Sequence, residues 1–397
     1  PFDLDLLPKP VYVVGGAVRD RLLGRVRAEL DLDLAISTGA VDVARRLARE
    51  YQAGFVLLDA ERQIARVVFP GLTVDIAQID GADILQDLAR RDYTLNAIAY
   101  DLQAGVIIDP LNGTQDIHQR TIRMVSRENL VDDPLRLLRA YRQGAQLNFT
   151  IESATRRAIQ ELVPLLTNVA AERVLAELRY LCQTPQSSQW LAMMVADDLL
   201  AGWLEIPVRE DFGERLTQID RAIDLIRQHY PVLDRELQQP LRDTISISRG
   251  AMSKLTVLLS PELPLATAQM LRLTFSTIEI QVVKIAITYL PQLLRGEMSL
   301  SEQYFWFKSV GNNFPLLVIL AIASGVKISD LESLIDPNDQ VSHPTPLVNG
   351  HNLIQALQIA PSPTIGKLLT EIQLARIMGK IATPADAIQF AQQMIES

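Results

Sequence analysis

Asp31 and Asp33 stand in a stretch, Leu30 to Ile36, where apolar residues alternate with acid. That spacing puts both carboxylates on one face of a strand. Like charges held close together oppose each other's ionisation, so a shared site favours a bound cation. Mg²⁺, which takes one or two carboxylates and completes its shell from substrate phosphates, matches the donor set. By themselves, two solvated aspartates on an edge strand account for the pair equally well. A second group is Gly15-Gly16, between an apolar β-branched run (Val11 to Val14) and a helix-spaced run (Ala17 to Leu23), with Arg19 and Asp20 just beyond. Glycine there permits close backbone approach, and the amides of a helix start attract anions, although a tight turn alone also uses a glycine pair. A third group, Arg90-Arg91-Asp92-Tyr93-Thr94-Leu95-Asn96, reads at helical spacing as a basic pair, an acid and an amide within about one turn. The fourth is Asp132-Asp133-Pro134-Leu135-Arg136 with Arg139. Acids before a proline near a helix start are N-terminal chemistry, so capping explains one aspartate and leaves both arginines for another role.

These groups must be held by the elements around them. Val11 to Val14 and Leu30 to Ile36 read as strands flanking a short helix, and Ala40 to Tyr51 as a helix. Three β-rich runs follow, Phe55 to Leu58, Ile64 to Phe69 and Leu72 to Ile76. After Asp80-Gly81 the pattern turns helical over Ala82 to Ala99, is interrupted by a strand-like Val106 to Ile108, and stays helical to the C-terminus. The expected fold is an α/β head with a small mixed sheet, followed by mostly α-helical domains. Breaks at Thr184 to Ser188, Ser260 to Pro264 and Asp336 to Pro346 suggest a head over 1–125, a helical neck over 126–183, a body over 184–335 and a tail over 336–397. No repeat period or low-complexity tract is visible.

Taken in order, the motifs resemble those of the class II tRNA nucleotidyltransferases. These are the bacterial-type CCA-adding enzymes of the polymerase-β-like nucleotidyltransferase superfamily, whose head bacterial poly(A) polymerases share. The resemblance rests on Gly15 to Asp20 with Asp31 and Asp33, on Arg90 to Asn96, on Ile108-Asp109-Pro110, on Asp132 to Arg136 with Arg139, and on Glu172-Arg173 with Glu177. Pro346 to Gly350 and Ile365 to Leu369 resemble the family's helical tail, whereas roughly 200–340 matches only as generic helix. The resemblance implies that Gly15, Gly16 and Arg19 hold a triphosphate and that Asp31 and Asp33 bind catalytic Mg²⁺. Arg91, Asp92 and Asn96 would recognise ribose and triphosphate, with Arg139 also at the nucleotide. Asp133 and Arg136 would read the incoming base, and Glu172, Arg173 and Glu177 would brace the helix below. Asp75 is a candidate third carboxylate, for which an exposed strand position is the commoner explanation.

The residue chemistry agrees with a protein-borne template. Cytosine presents an amino donor beside ring acceptors, and adenine a related donor and acceptor. A carboxylate and a guanidinium one helical turn apart can therefore satisfy either edge. The implied activity is transfer from CTP, with ATP as an alternative, onto the 3′ end of tRNA. Members that add the terminal A carry a flexible loop before the arginine motif, and Asp75 to Arg90 leaves almost no room for one, so CC addition is favoured. Full CCA addition, A addition, poly(A) synthesis and a non-catalytic RNA-binding role are the alternatives. No His-Asp dipeptide marks a fused phosphohydrolase domain, since His118, His229, His343 and His351 are scattered.

Composition limits the rest. The chain has 397 residues, 48% hydrophobic and 21% charged, which is ordinary globular usage for two to four domains. Its net charge is -9, and residues 1–150 carry 18 basic against 21 acidic side chains, so neither half offers a general polyanion-binding surface. Of 38 basic residues 31 are Arg, whose planar fork suits phosphate, although genome composition produces the same bias. A single cysteine, Cys182, excludes an internal disulfide and a thiolate metal cluster and fits a reducing, cytoplasmic compartment. No apolar stretch approaches the ~18 residues that span a bilayer, so no membrane partner is expected.

Overall fold

The computed structural model describes residues 2–25, 30–204, 212–242, 245–336 and 338–396. The chain divides into two compact units, Pro1–Trp203 and Leu204–Ser397.

The first unit opens with strand β1 (Val11–Val14), helix α1 (Gly16–Leu22), β2 (Leu30–Ile36), α2 (Ala40–Glu50), β3 (Gly54–Asp59), β4 (Ile64–Phe69) and β5 (Leu72–Gln78). After α3 (Ile84–Ala89) come β6 (Ala99–Asp101), β7 (Val106–Ile108) and α4 (Gly113–His118). The strands form a seven-stranded sheet in the order β3-β4-β5-β2-β1-β6-β7. Neighbours run antiparallel except β2 and β5, which pair in parallel over Leu30–Ile36 and Leu72–Gln78. Helix α2 covers one face, burying Val43, Ala44 and Leu47 against Leu34, Ile36, Val67, Val74 and Ile76. The alternation in β2 follows from this: Leu32, Leu34 and Ile36 go to that core, Leu30 at the strand start stays exposed, and the aspartates are left on the opposite face.

The helical expectation for Ala82 to Ala99 holds only for α3, which Asp83 caps by accepting from the Gln86 amide. From Arg90 onward the chain is irregular apart from a 3₁₀ turn at Thr94–Asn96, and Ala99 has already entered β6. Side chain and backbone bonds compete with the helix here. The Tyr93 amide donates to the Asp92 carboxylate, the Thr94 amide to the Arg123 carbonyl, and the Val125 amide to the Asp92 carbonyl.

Two residue pairs, β8 (Thr121–Ile122) and β9 (Thr150–Ile151), tie the head to the helices that follow. These are α5 (Arg127–Asp132), α6 (Leu135–Leu147), α7 (Ser153–Leu162), α8 (Ala171–Gln183) and α9 (Ser188–Ala196). The Thr184 to Ser188 break ends α8, yet α9 beyond it packs on α6 inside the same unit. A β-carbon at Gly144 of α6 would lie 2.2 Å from the Trp190 ring of α9. Gly144→Ala is therefore expected to destabilise this unit by about 2 kcal/mol or more through overpacking, read as a lowered thermal midpoint. On the same side Asp197 accepts from the Tyr141 hydroxyl at 2.5 Å and from Arg156 at 2.7 and 2.9 Å.

The second unit is helical: α10 (Phe212–His229), α11 (Pro231–Gln238), a short pair β10 (Pro240–Arg242) and β11 (Ile245–Ser248), α12 (Arg249–Leu258), α13 (Leu263–Arg272), α14 (Thr277–Arg295), α15 (Leu300–Val310) and α16 (Phe314–Ala323). It closes with α17 (Glu332–Ile335), α18 (Gly350–Leu357), α19 (Pro363–Ile377) and α20 (Pro384–Glu396). Capping boxes at Ser276 with Glu279 and at Ser299 with Glu302 start α14 and α15. The sequence expectation about membrane length meets one exception. Leu300–Ala323 is apolar enough over 24 residues to span a bilayer by composition, but 61% of that window is buried. The segment is two helices broken at Gly311–Asn313, and α16 packs among α10, α12 and α14 as a core helix.

Candidate active site

The open face of the sheet carries the acids. Asp33 pairs in register with Val14 of β1 and with Asp75 of β5, so Asp31, Asp33 and Asp75 share one face. Asp75 is not free there, because Arg66 on the neighbouring strand binds it through two hydrogen bonds of 2.7 and 2.9 Å. Asp31 is exposed and Asp33 partly buried. Burial, then the charges of Asp75 and Asp31, push the Asp33 carboxyl above its usual range, against the opposing pull of Arg91 and Arg139. A cation between Asp31 and Asp33 would relieve that repulsion. Among the described residues no group of three or more His, Cys, Asp or Glu side chains forms a closed metal cage. Two carboxylates on one strand face are the kind of oxygen donors a hard divalent ion takes when substrate supplies the rest of its shell.

Gly15 brings the turn to these acids. Its φ is +71°, and a β-carbon there would lie 3.1 Å from the Arg91 guanidinium and 3.4 Å from an Asp33 carboxylate oxygen. The positive φ favours glycine here, and an added side chain would crowd the Arg91 guanidinium. Gly16 begins α1. Arg19, buried on that helix, binds Asp20 through two nitrogens and donates to the Asn96 side chain at 2.7 Å. Asn96 in turn donates to Asp92 at 3.0 Å and to Gln143 of α6 at 2.9 Å. Arg139 of α6 pairs with Asp92 at 3.1 Å. Burial alone would raise the Asp92 pKa, but the Arg139 charge, the Asn96 and Tyr93 hydrogen bonds and Arg136 together hold it below the usual carboxylate value. The Arg139 Nε is buried without a protein partner.

These residues line a cleft of about 1350 Å³ together with Asp31, Asp33, Arg136, Arg142 and Tyr180. Asp133 and Arg136 do not stand one turn apart on a helix. Pro134 starts α6, and Asp133 precedes it in extended conformation at φ −138°. The Asp133 carboxylate pairs with Arg173 of α8 at 3.1 Å, while Arg136 donates to the Asn129 carbonyl at 2.8 Å and its own carbonyl accepts from the Tyr93 hydroxyl at 2.6 Å. Glu177 binds Arg142, and Glu172 is exposed in the first turn of α8. Sequence reading missed Arg66, Arg142, Gln143 and Tyr180. Arg142 and Gln143 had a signal, since they continue the Arg136 and Arg139 face of one helix by steps of three and four; Arg66 had none before the strand pairing was known.

A glycine turn and helix start beside strand-borne aspartates, walled by arginines, define the head of a nucleotidyltransferase. Family models agree: that of the poly A polymerase head domain matches 11–123, that of the RNA and SrmB-binding site of polymerase A matches 148–208, and that of tRNA nucleotidyltransferase domain 2 matches 246–391. A CC-adding tRNA nucleotidyltransferase of Synechocystis sp. is 42% identical over 100% of this chain and 96% of its own length. A CC-adding tRNA nucleotidyltransferase of Geobacter sulfurreducens is 28% identical over 96% of this chain and 90% of its own. Among solved structures, an apo CCA-adding enzyme shares the fold with a TM-score of 0.74 at 24% identity, covering 98% of this chain and 90% of that one. The chain belongs to the tRNA nucleotidyltransferase family and is an enzyme of that class.

Proposed function

We propose that the protein adds two cytidines from CTP to the 3′ end of tRNA and stops. The observation that carries the restriction is the connection from β5 to α3. Asp80 pairs with Arg90, its amide donates to Asp87 at 3.1 Å, and the Ala82 amide donates to Gln86 at 3.0 Å. Residues 79–83 are thus tied across a short helix and leave no slack to re-aim α6 from one base to another. The 42% identical relative named as CC-adding supports the same reading.

In this reading Asp31 and Asp33 hold Mg²⁺, which supplies charge stabilisation at the α-phosphate and lowers the pKa of the attacking hydroxyl. The Gly15 turn, the α1 amides, Arg19 and Arg91 receive the triphosphate. Asp92 and Asn96 hold the sugar side and fix Arg19, while Arg139 presents the exposed part of its guanidinium to the nucleotide. The tRNA 3′-oxygen forms a bond to the α-phosphorus as the bond to the bridging oxygen breaks, so pyrophosphate leaves in line and the hydroxyl proton is lost. Arg136 reads the base edge. Asp133 joins it by exchanging its Arg173 partner for the base, a shift that their surface ion pair resists only weakly. The head over 1–125 and neck over 126–183 do the chemistry; the body over 184–335 and tail over 336–397 grip the tRNA, as a cytoplasmic enzyme.

Purified protein should extend a tRNA lacking its 3′ end by two cytidines with CTP alone, with ATP ignored even in excess. Efficient addition of A to a tRNA ending in CC would return the chain to the full CCA-adding or A-adding reading.

A further inference from the structure

We propose that Tyr180 is a stacking platform for a nucleobase in the cleft. Tyr180 lies on α8 in the cleft wall, and 57% of it is exposed. The Arg142 guanidinium sits 5.8 Å from its ring centroid. Arg142 does not need the ring as a partner: its charge is met by Glu177 and it donates to Gln146 at 2.9 Å, leaving only 18% of its side chain exposed. The cation is therefore fixed under one face of an aromatic ring that remains largely open to solvent. Bases stack on such faces whatever their sequence, and a guanidinium behind the ring strengthens the contact.

The position separates this platform from the residue proposed to read the base edge. Arg136, Arg139 and Arg142 follow one another along α6 at steps of three, and the rise from Arg136 to Arg142 is about 9 Å along the helix. An arginine-lined cleft accounts for phosphate; a tyrosine hydroxyl can add one donor to it, but the exposed ring face contributes nothing there and stays in water. A purine or pyrimidine face is the ligand chemistry that uses it. The base belongs either to the incoming nucleotide or to the 3′ end of the RNA. This inference rests on the nucleotidyl-transfer reading and is independent of whether the product ends in CC.

The test compares Tyr180→Ala, Tyr180→Phe and Tyr180→Trp in the full chain, varying CTP and tRNA separately. Tyr180→Ala should raise KM for one base-bearing substrate by roughly ten- to a hundredfold with a smaller change in kcat. Phe and Trp should restore it, because the ring and not the hydroxyl is used. Inhibition by inorganic tripolyphosphate, which has no base, should not change. A rise confined to CTP assigns the platform to the incoming base, and a rise confined to tRNA assigns it to the RNA end. Unchanged KM for both substrates, or a defect that Phe and Trp do not repair, would overturn the proposal. Equilibrium titration with CTP and with tRNA makes the same comparison without turnover. Addition of A by the wild-type chain would remove the CC restriction and leave this result standing.

Discussion

Replacing Asp33 with asparagine is expected to lower kcat by roughly a thousandfold or more, because transition-state charge loses its counter-ion anchor. The same change should leave stability equal or higher at neutral pH. The Asp33 carboxyl has its folded pKa raised, chiefly by burial and by Asp75. An acid whose folded pKa lies above its unfolded value, about 3.9, costs stability wherever it is ionised. Asparagine removes that cost, so the gain in thermal midpoint should be present at pH 7, shrink as pH falls through the raised folded pKa, and be gone below about pH 4. Retained turnover, or a protein that loses its fold at pH 7, would show that Asp33 is structural.

The second large effect concerns Arg139 and Asp92. Arg139→Leu removes the main charge holding the Asp92 carboxylate ionised in a site where that side chain is 5% exposed. Breaking such a pair from one side typically costs about 3 kcal/mol, and activity should fall with it. The pH dependence gives the sign. In the wild type the lowered Asp92 pKa contributes stability that is present above its unfolded pKa and lost as pH falls through the folded one. In Arg139→Leu burial is less opposed, the folded pKa rises, and the ionised carboxylate becomes a cost. The stability gap measured by urea unfolding should be widest near neutrality and narrow in acid; a gap of equal size at both ends would mean that Arg139 acts by packing alone.

How much could be read beforehand depended on how local each feature is. The strand bearing Asp31 and Asp33 follows from alternation, and Leu32 and Leu34 of β2 do enter the α2 core. The Gly15 turn was legible from a β-branched run meeting a helix-spaced one. The Arg66 clamp on Asp75 was not, because it depends on which residues face each other across β4 and β5. Asp92 and Asn96 were assigned to a helix because their spacing allows one; in the fold they spend their hydrogen bonds on each other, on Arg19 and on Gln143. Pro134 marked a helix start correctly, but the residue before it is extended, so the Asp133 carboxylate meets Arg173 while the Arg136 guanidinium meets the Asn129 carbonyl. Tyr180 carries no signal in the sequence, and its exposure in the cleft wall is what distinguishes it.

The parallel pairing of β2 with β5 has a consequence for how the protein comes to exist. Hairpin neighbours can zip from their turn, but Asp33 meets Asp75 only after α2, β3 and β4 have folded between them. Closing so long an excursion is slow compared with local contacts. Register is also unforgiving, since a slip of one residue would turn both aspartates toward α2 and the leucines to solvent. A nascent chain that has reached Ile36 already carries Asp31 and Asp33 beside the β1 turn, but lacks Asp75 on β5 and the arginines Arg91 and Arg139 whose charges act on Asp33. The acidic face of the sheet is therefore complete only once β5 has paired with β2.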